Sequence, residues 1–203
     1  DVLMQLQQNY PKEALYDLMN IVDSHDTARA IYLYGGGKDS VMQPSKADFD
    51  YNLGKARLKM AAVFELGYPG MPTIYYGDEA GQYGSKDPDC RRTFPWGKED
   101  KDLQKFYKKV IAVRNDNKDI FARGDLKTLS AIGALYAYDR KADNGRYGIV
   151  ALNNGAADTF TFKTSAADGT TFTDQLSGKT YTVENGKLTI DLAENGSVMM
   201  IAE

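Results

Sequence analysis

Histidine, cysteine and tryptophan each occur once in the 203 residues, as His25, Cys90 and Trp96. A lone cysteine forms no internal disulfide, and this leaves an oxidising and a reducing compartment equally open. One His and one Cys, far apart, cannot build a zinc site. No apolar run approaches the roughly 18 residues that a membrane span needs, and the opening Asp1-Val2-Leu3-Met4-Gln5 carries neither the basic nor the apolar region of a signal peptide, so no membrane partner is expected. Basic residues are not in excess: 25 Lys and Arg against 28 Asp and Glu give a net charge of -3 with no basic stripe, which argues against nucleic acid as a partner. What is present, 42% hydrophobic, 26% charged and 11% aromatic residues, is the composition of a folded chain and excludes collagen, coiled-coil and disulfide-scaffold classes. The missing initiator Met and a start inside a helical pattern predict a piece cut from something longer.

The texture changes near Arg123-Gly124. Before that point stand 18 basic and 18 acidic residues, and after it 7 and 10. Residues 124–203 are short Thr-, Tyr- and Val-rich runs separated by Asn144-Gly145, Asn154-Gly155, Asp168-Gly169, Ser177-Gly178, Asn185-Gly186 and Asn195-Gly196. Such pairs supply the positive φ of tight hairpins, so the pattern predicts antiparallel strands over 135–140, 147–152, 159–163, 180–184, 187–192 and 197–201 in an all-β sandwich module. In residues 1–123, Pro11 and Glu13 resemble a helix start, but 17–23 read better as a buried strand ending at Ser24-His25-Asp26-Thr27. Lys55 to Leu66 is a helix with apolar residues on both faces, stopped by Gly67 and Pro69. Pro72 to Tyr76 is a second apolar strand, and Leu103, Phe106, Tyr107, Val110 and Ile111 recur at helical spacing. Strand, helix, strand, helix is the rhythm of a parallel sheet with crossover helices, and these residues hold about two such units of the roughly 250 residues in a complete (β/α)8 barrel.

Two charged clusters follow the apolar strands, at His25-Asp26 and Asp78-Glu79, where parallel α/β folds gather ligands and reacting groups. Taken blandly, Ser24 to Thr27 is a turn whose Asp caps the next segment, His25 is a buried side chain, and Asp78-Glu79 is a solvated loop. Gly35-Gly36-Gly37-Lys38 lacks the spacing and the following Ser or Thr of a phosphate loop and reads as a flexible turn.

Three ordered motifs carry a resemblance that reaches further. Ile21 to Thr27, Tyr68-Pro69-Gly70-Met71-Pro72-Thr73-Ile74-Tyr75-Tyr76-Gly77-Asp78-Glu79, and Asp87-Pro88-Asp89-Cys90-Arg91-Arg92-Thr93-Phe94-Pro95-Trp96 resemble the last third of an α-amylase-family glycoside hydrolase, of the amylopullulanase, neopullulanase and cyclomaltodextrinase branch. The resemblance implies the last part of a (β/α)8 TIM barrel over 1–123 and an antiparallel Greek-key-type β-sandwich over 124–203. It implies that Asp26 is the third acid of the catalytic set, a carboxylate that grips sugar hydroxyls and stabilises the transition state, with His25 as its partner. Asp87 and Arg91 match a pair that holds a glucose unit on the non-reducing side of the cleaved bond; Asp78 and Glu79 would shape the cleft floor, and Trp96 an apolar wall.

The family's carboxylate nucleophile and carboxylic acid precede the Ser-His-Asp motif, and neither is in this sequence. The expectation is therefore the C-terminal fragment of a retaining α-glucan hydrolase acting on starch, pullulan or maltodextrins, inactive alone, with no metal or cofactor in this chain and calcium left open for a full-length parent. Its partners would be an α-glucan and either the missing N-terminal part of the barrel or a second copy bound through residues 1–97, with the sandwich stable by itself. The resemblance implies an extracellular or cell-surface parent, with the cytoplasm as the alternative. The rival expectations are a non-catalytic carbohydrate-binding or structural module and a catalytically dead family member, the second opposed by the retained His25 and Asp26.

Overall fold

The computed structural model describes residues 2–203. Two short helices, α1 (Val2–Asn9) and α2 (Lys12–Tyr16), open the chain, with Pro11 extended at the entry to α2. They lead into β1 (Met19–Asn20), α3 (Ala30–Tyr34), α4 (Tyr51–Gly67) and β2 (Met71–Pro72). β1 and β2 pair in parallel, Met19 opposite Met71 and Asn20 opposite Pro72. This is the crossover connection that the alternation of strand and helix predicts.

The strands expected over 17–23 and 72–76 shrink to two residues each. A ladder extends only as far as a neighbour supplies donors and acceptors. Here the pairing consists of the Met71 amide donating to the Leu18 carbonyl and the Thr73 amide donating to that of Asn20, both at 2.8 Å. The segment is also less buried than expected: Leu18, Met19, Ile21 and Met71 are exposed, forming an apolar strip beside the pair.

Helix α4 is longer at both ends than its apolar pattern, because Asp50 caps it by accepting from the Leu53 amide at 2.9 Å. Its two apolar faces have two destinations. Leu58 and Ala62 pack on Ile31 and, from α5 (Lys101–Asp116), on Leu103 and Tyr107. Val63 and Leu66 pack on Val110, Val113 and Phe121 and on Tyr138, Val150 and Met199 of the β module. At ~1.5–3 kcal/mol for each large apolar side chain buried, this second core is a substantial bond between the two parts of the chain. Gly67 lies directly against that module: a Cβ there would stand 2.8 Å from both the Tyr138 hydroxyl and a Val150 methyl.

A π-helical turn at Asp119–Arg123 delivers the chain to the β module. β3 (Asp125–Ile132), β4 (Leu135–Lys141), β5 (Tyr147–Asn153), β7 (Thr171–Asp174), β8 (Thr180–Thr182) and β10 (Ser197–Ala202) form one antiparallel sheet in the order β3-β4-β5-β10-β7-β8. β6 (Asp158–Lys163) and β9 (Lys187–Leu192) form a two-stranded ribbon. Ile149, Phe172 and Met200 from the large sheet meet Phe162, Leu188 and Ile190 from the ribbon in a further core. The six strands read from turn pairs are all present; β3 and β7 are additional. The other face of the large sheet is the one that packs on α4 and α5, so the module is joined to the α/β part rather than standing free of it.

Candidate functional site

The chain turns sharply after β1. The Ser24 amide donates to Thr27 Oγ1 at 3.0 Å and the Asp26 amide donates to Ser24 Oγ at 3.2 Å, so the Ser-His-Asp-Thr turn satisfies its own backbone and points His25 and Asp26 outward. Capping of the next segment falls to Asp23, whose Oδ2 accepts from the Ala30 amide at 2.7 Å. The bland expectation is thus corrected on two counts: the capping acid is Asp23, and the His25 side chain is 60% exposed rather than buried. Asp26 is left without a structural task inside its turn.

Asp26 is held from both sides. His25 Nε2 stands 3.2 Å from Oδ2, and Arg91 Nη2 donates to Oδ1 at 3.2 Å. Arg91 also pairs through Nε with Asp87 at 2.6 Å and donates from the same nitrogen to the His25 carbonyl at 3.1 Å, where the Cys90 thiol donates at 2.9 Å. His25, Asp26, Asp87 and Arg91 therefore form one group although the sequence separates them into two motifs. Exposed ion pairs contribute little to stability, ~0–1 kcal/mol, so the arrangement is better suited to presenting oriented hydrogen-bonding groups to a ligand. A carboxylate flanked by an imidazole and a guanidinium accepts hydroxyl protons, and the guanidinium fork donates to hydroxyl oxygens.

The other three residues singled out by sequence lie apart from this group. Asp78 opens a 3-10 turn at Asp78–Ala80, entered through Gly77 at φ 93°. It is 1% exposed and lies beneath the surface, so a direct contact with a ligand, as a substrate-binding residue would make, is replaced by a place under the floor. Glu79 accepts from the Gly77 amide at 2.8 Å and borders an open cavity of about 420 Å³ with Ile74, Tyr76, Tyr107 and Lys108. Trp96 is 81% exposed and rests against Phe94, ring centres 4.5 Å apart. Among the described residues no three His, Cys, Asp or Glu side chains are grouped to hold a metal ion.

Sequence reasoning missed Arg29 and Cys90, which hold the site's backbone. Arg29 has no exposed surface; its Nε donates to the Cys90 carbonyl and its Nη1 to the Tyr76 carbonyl, each at 2.7 Å. Its place three residues after Asp26 was the available signal.

A turn at the carboxyl end of a parallel strand, presenting a carboxylate in the grip of an arginine from the next loop, defines the ligand face of a β/α-barrel scaffold. The family model "Alpha amylase, catalytic domain" matches residues 1–138, and the chain belongs to the α-amylase family. Over 213 residues it is 45% identical to an amylopullulanase of Thermoanaerobacter thermohydrosulfuricus, covering 99% of this chain and 14% of that protein. It is 31% identical over 194 residues to neopullulanase 2 of Thermoactinomyces vulgaris, covering 94% and 30%. The solved structure of a cyclomaltodextrinase superposes with a TM-score of 0.78 at 30% identity, covering 98% of this chain and 32% of the other. The chain thus spans a small part of the length of the relatives it matches. Its fold is the last part of the family's TIM barrel followed by an antiparallel sheet domain.

Proposed function

We propose that this chain is the C-terminal part of a retaining α-glucan hydrolase that acts on starch, pullulan or maltodextrins, with its domain boundary near residues 123–124. The observation that carries the reading is the Asp26 carboxylate held between His25 and Arg91 on the exposed strand end. In a retaining hydrolase the nucleophile and the acid stand about 5–5.5 Å apart and the transition state resembles an oxocarbenium ion. Asp26 is the third group: hydrogen bonds from sugar hydroxyls to its carboxylate strengthen as positive charge develops on the ring, and His25 shares the same sugar. Asp87 and Arg91 hold the neighbouring glucose unit, Glu79 borders the cleft, and Trp96 offers a ring face.

The nucleophile and acid come from a part of the protein that precedes this sequence. The same part, or a second copy of the chain, covers the apolar strip of Leu18, Met19, Ile21 and Met71. The parent works outside the cell or at its surface.

The test compares the purified chain with a longer protein that includes the preceding barrel. Reducing sugar should be released from pullulan or soluble starch by the longer protein and not by the chain. A second reading, a carbohydrate-binding module, is favoured by the exposed Trp96–Phe94 pair. A longer protein that binds maltotriose without cleaving any glucan would replace the first reading with the second.

A further inference from the structure

Below the exposed group lies a second set of charges that the proposed reaction does not use. Asp23 follows β1 and Asp78 follows β2, and both are buried, as is Arg29. Asp23 Oδ2 is taken by the Ala30 amide. Asp23 Oδ1 and both oxygens of Asp78 have no hydrogen-bonding partner, and neither has Arg29 Nη2. The guanidinium approaches Asp78 through Nη1 at 3.6 Å, but that nitrogen donates to the Tyr76 carbonyl and Nε to the Cys90 carbonyl, and the group lies over the rings of Tyr75 and Tyr76 at 4.2 and 4.6 Å. The two carboxyl groups are near enough that each acts on the other's hold on a proton.

Charge balance decides what such a group can be. Two ionised carboxylates against one guanidinium would leave an uncompensated buried negative charge with three bare oxygens, which is among the costliest arrangements a protein interior can hold. The surroundings offer no relief. Glu65 of α4 is another buried acid, Tyr34 of α3 and Tyr107 of α5 face the same cluster, and the other nearby cation, Arg114, acts on Glu65. One proton held between the acids removes the surplus charge and gives an oxygen on each side a partner, as two carboxyls at close range generally do.

We infer that Asp23 and Asp78 share one proton against Arg29, and that this unit is a positioning element that fixes the Asp26 turn to the Asp87–Arg91 loop. The linkage is short. Asp23 stands three residues before Asp26 and Arg29 three after, Arg29 holds the Cys90 carbonyl, and Cys90 and Arg91 both hold the carbonyl of His25. Losing the proton would draw Arg29 into a full pair with Asp78 and away from Cys90, releasing the His25 carbonyl and with it the turn that carries Asp26. Burial first, and the neighbouring Asp23 second, push the Asp78 carboxyl up to about 9, in keeping with a proton retained at neutral pH.

The proton itself is tested independently of any hydrolysis; the positioning role rests on the proposed function. Infrared spectra of the purified Glu65→Gln protein, in which that buried acid carries no proton, should show a protonated carboxyl C=O stretch at pH 8 that fades only near pH 9 and is missing once Asp78→Asn is added. The wild type should carry the same band at pH 8, above the value at which Glu65 gives up its proton, and its absence there overturns the inference. In thermal melts from pH 5 to 9, Asp78→Asn should gain on the wild type as pH rises, whereas parallel curves overturn the shared proton. In the longer hydrolase, Asp78→Asn should move the alkaline limb of kcat upward by about one pH unit, and Arg29→Lys should lower kcat roughly tenfold with KM little changed. An unmoved alkaline limb overturns the positioning role. A band without any hydrolysis overturns the proposed reaction and leaves the shared proton supported.

Discussion

Arg91 donates to Asp26 through Nη2 at 3.2 Å while its Nε pairs with Asp87 at 2.6 Å, so one guanidinium orients two carboxylates on a surface open to solvent. The two acids are expected to do different work. On the proposed reading, Asp26 interacts with charge that exists only in the transition state, and Asp87 and Arg91 with the sugar as bound.

In the longer hydrolase, Asp26→Asn should therefore lower kcat by roughly 100-fold or more with KM within a few-fold. Arg91→Ala should chiefly raise KM, by about tenfold, an energy of about 1.4 kcal/mol. Both variants should keep their stability within about 0.5 kcal/mol, since the side chains are exposed. Steady-state kinetics on soluble starch with a denaturation curve for each variant would check this. An Asp26→Asn enzyme with kcat within about threefold of wild type removes the catalytic role.

Trp96 makes its aromatic contact with Phe94 alone and stands almost entirely in solvent. Stacking of an aromatic face is worth ~0.5–1.5 kcal/mol, so Trp96→Ala should weaken maltotriose binding roughly fivefold. The melting temperature should not move. Calorimetric titration decides it: unchanged affinity means that the ring is outside the sugar path.

How much of this was legible depended on how far apart the interacting groups lie. The frame of α4 and α5 was readable because their apolar spacing is local, with acids at Asp50 and Asp100 accepting from amides three residues on. The turn pairs located six strands for the same reason, with Gly145, Gly169, Gly178 and Gly186 all at positive φ. β3 escaped because it follows a helical turn with no Asn-Gly or Asp-Gly before it, and β7 because four residues carry little pattern. The strand over 17–23 was overestimated, since its composition suits partners that only Met71–Pro72 supplies within the chain. At the site, the residues of both motifs were legible but not their meeting, because Asp26 and Arg91 are 65 positions apart. The roles of Arg29 and Cys90 were harder to read, since both act on backbone carbonyls and only the place of Arg29 three residues after Asp26 hinted at one.

Arg140 ties the β module to the rest of the chain. Fully buried, it donates from Nη1 to the Gly67 carbonyl at 2.7 Å and from Nη2 and Nε to that of Gly124 at 2.8 and 3.2 Å. Arg140→Met would take the donor from the Gly67 carbonyl inside the shared core, while the Gly124 carbonyl keeps the Tyr16 hydroxyl at 2.6 Å, at a cost of about 1–3 kcal/mol. Since that core joins α4 to β4, β5 and β10, the loss should appear as a lower midpoint of a single transition monitored by circular dichroism and Trp96 fluorescence together. A separate, unshifted transition of the β module would show that the sandwich is as independent as its sequence suggests.

Glu65 gives the last expectation, a pH dependence. Burial pushes its carboxyl up to about 7, the neighbouring Asp23 adds to the rise, and the Thr73 amide, donating to Oε1 at 3.0 Å, opposes it. The ordinary value in the unfolded chain is about 4.5, so between these limits the folded state holds a proton that the unfolded state has lost. Stability from this group is fully present below pH 4.5, declines as pH rises toward 7, and changes no further above that. One pKa unit corresponds to about 1.4 kcal/mol, which sets the loss on the order of 3 kcal/mol. Glu65→Gln keeps an acceptor for Thr73 and carries no titration. Urea denaturation of both proteins at pH 5, 6 and 7.5 should show the glutamine variant gaining steadily on the wild type, with most of the gain complete by pH 7.5. A constant difference across the three values would mean that Glu65 is already ionised in the folded protein at pH 5 and that Arg114 holds it so.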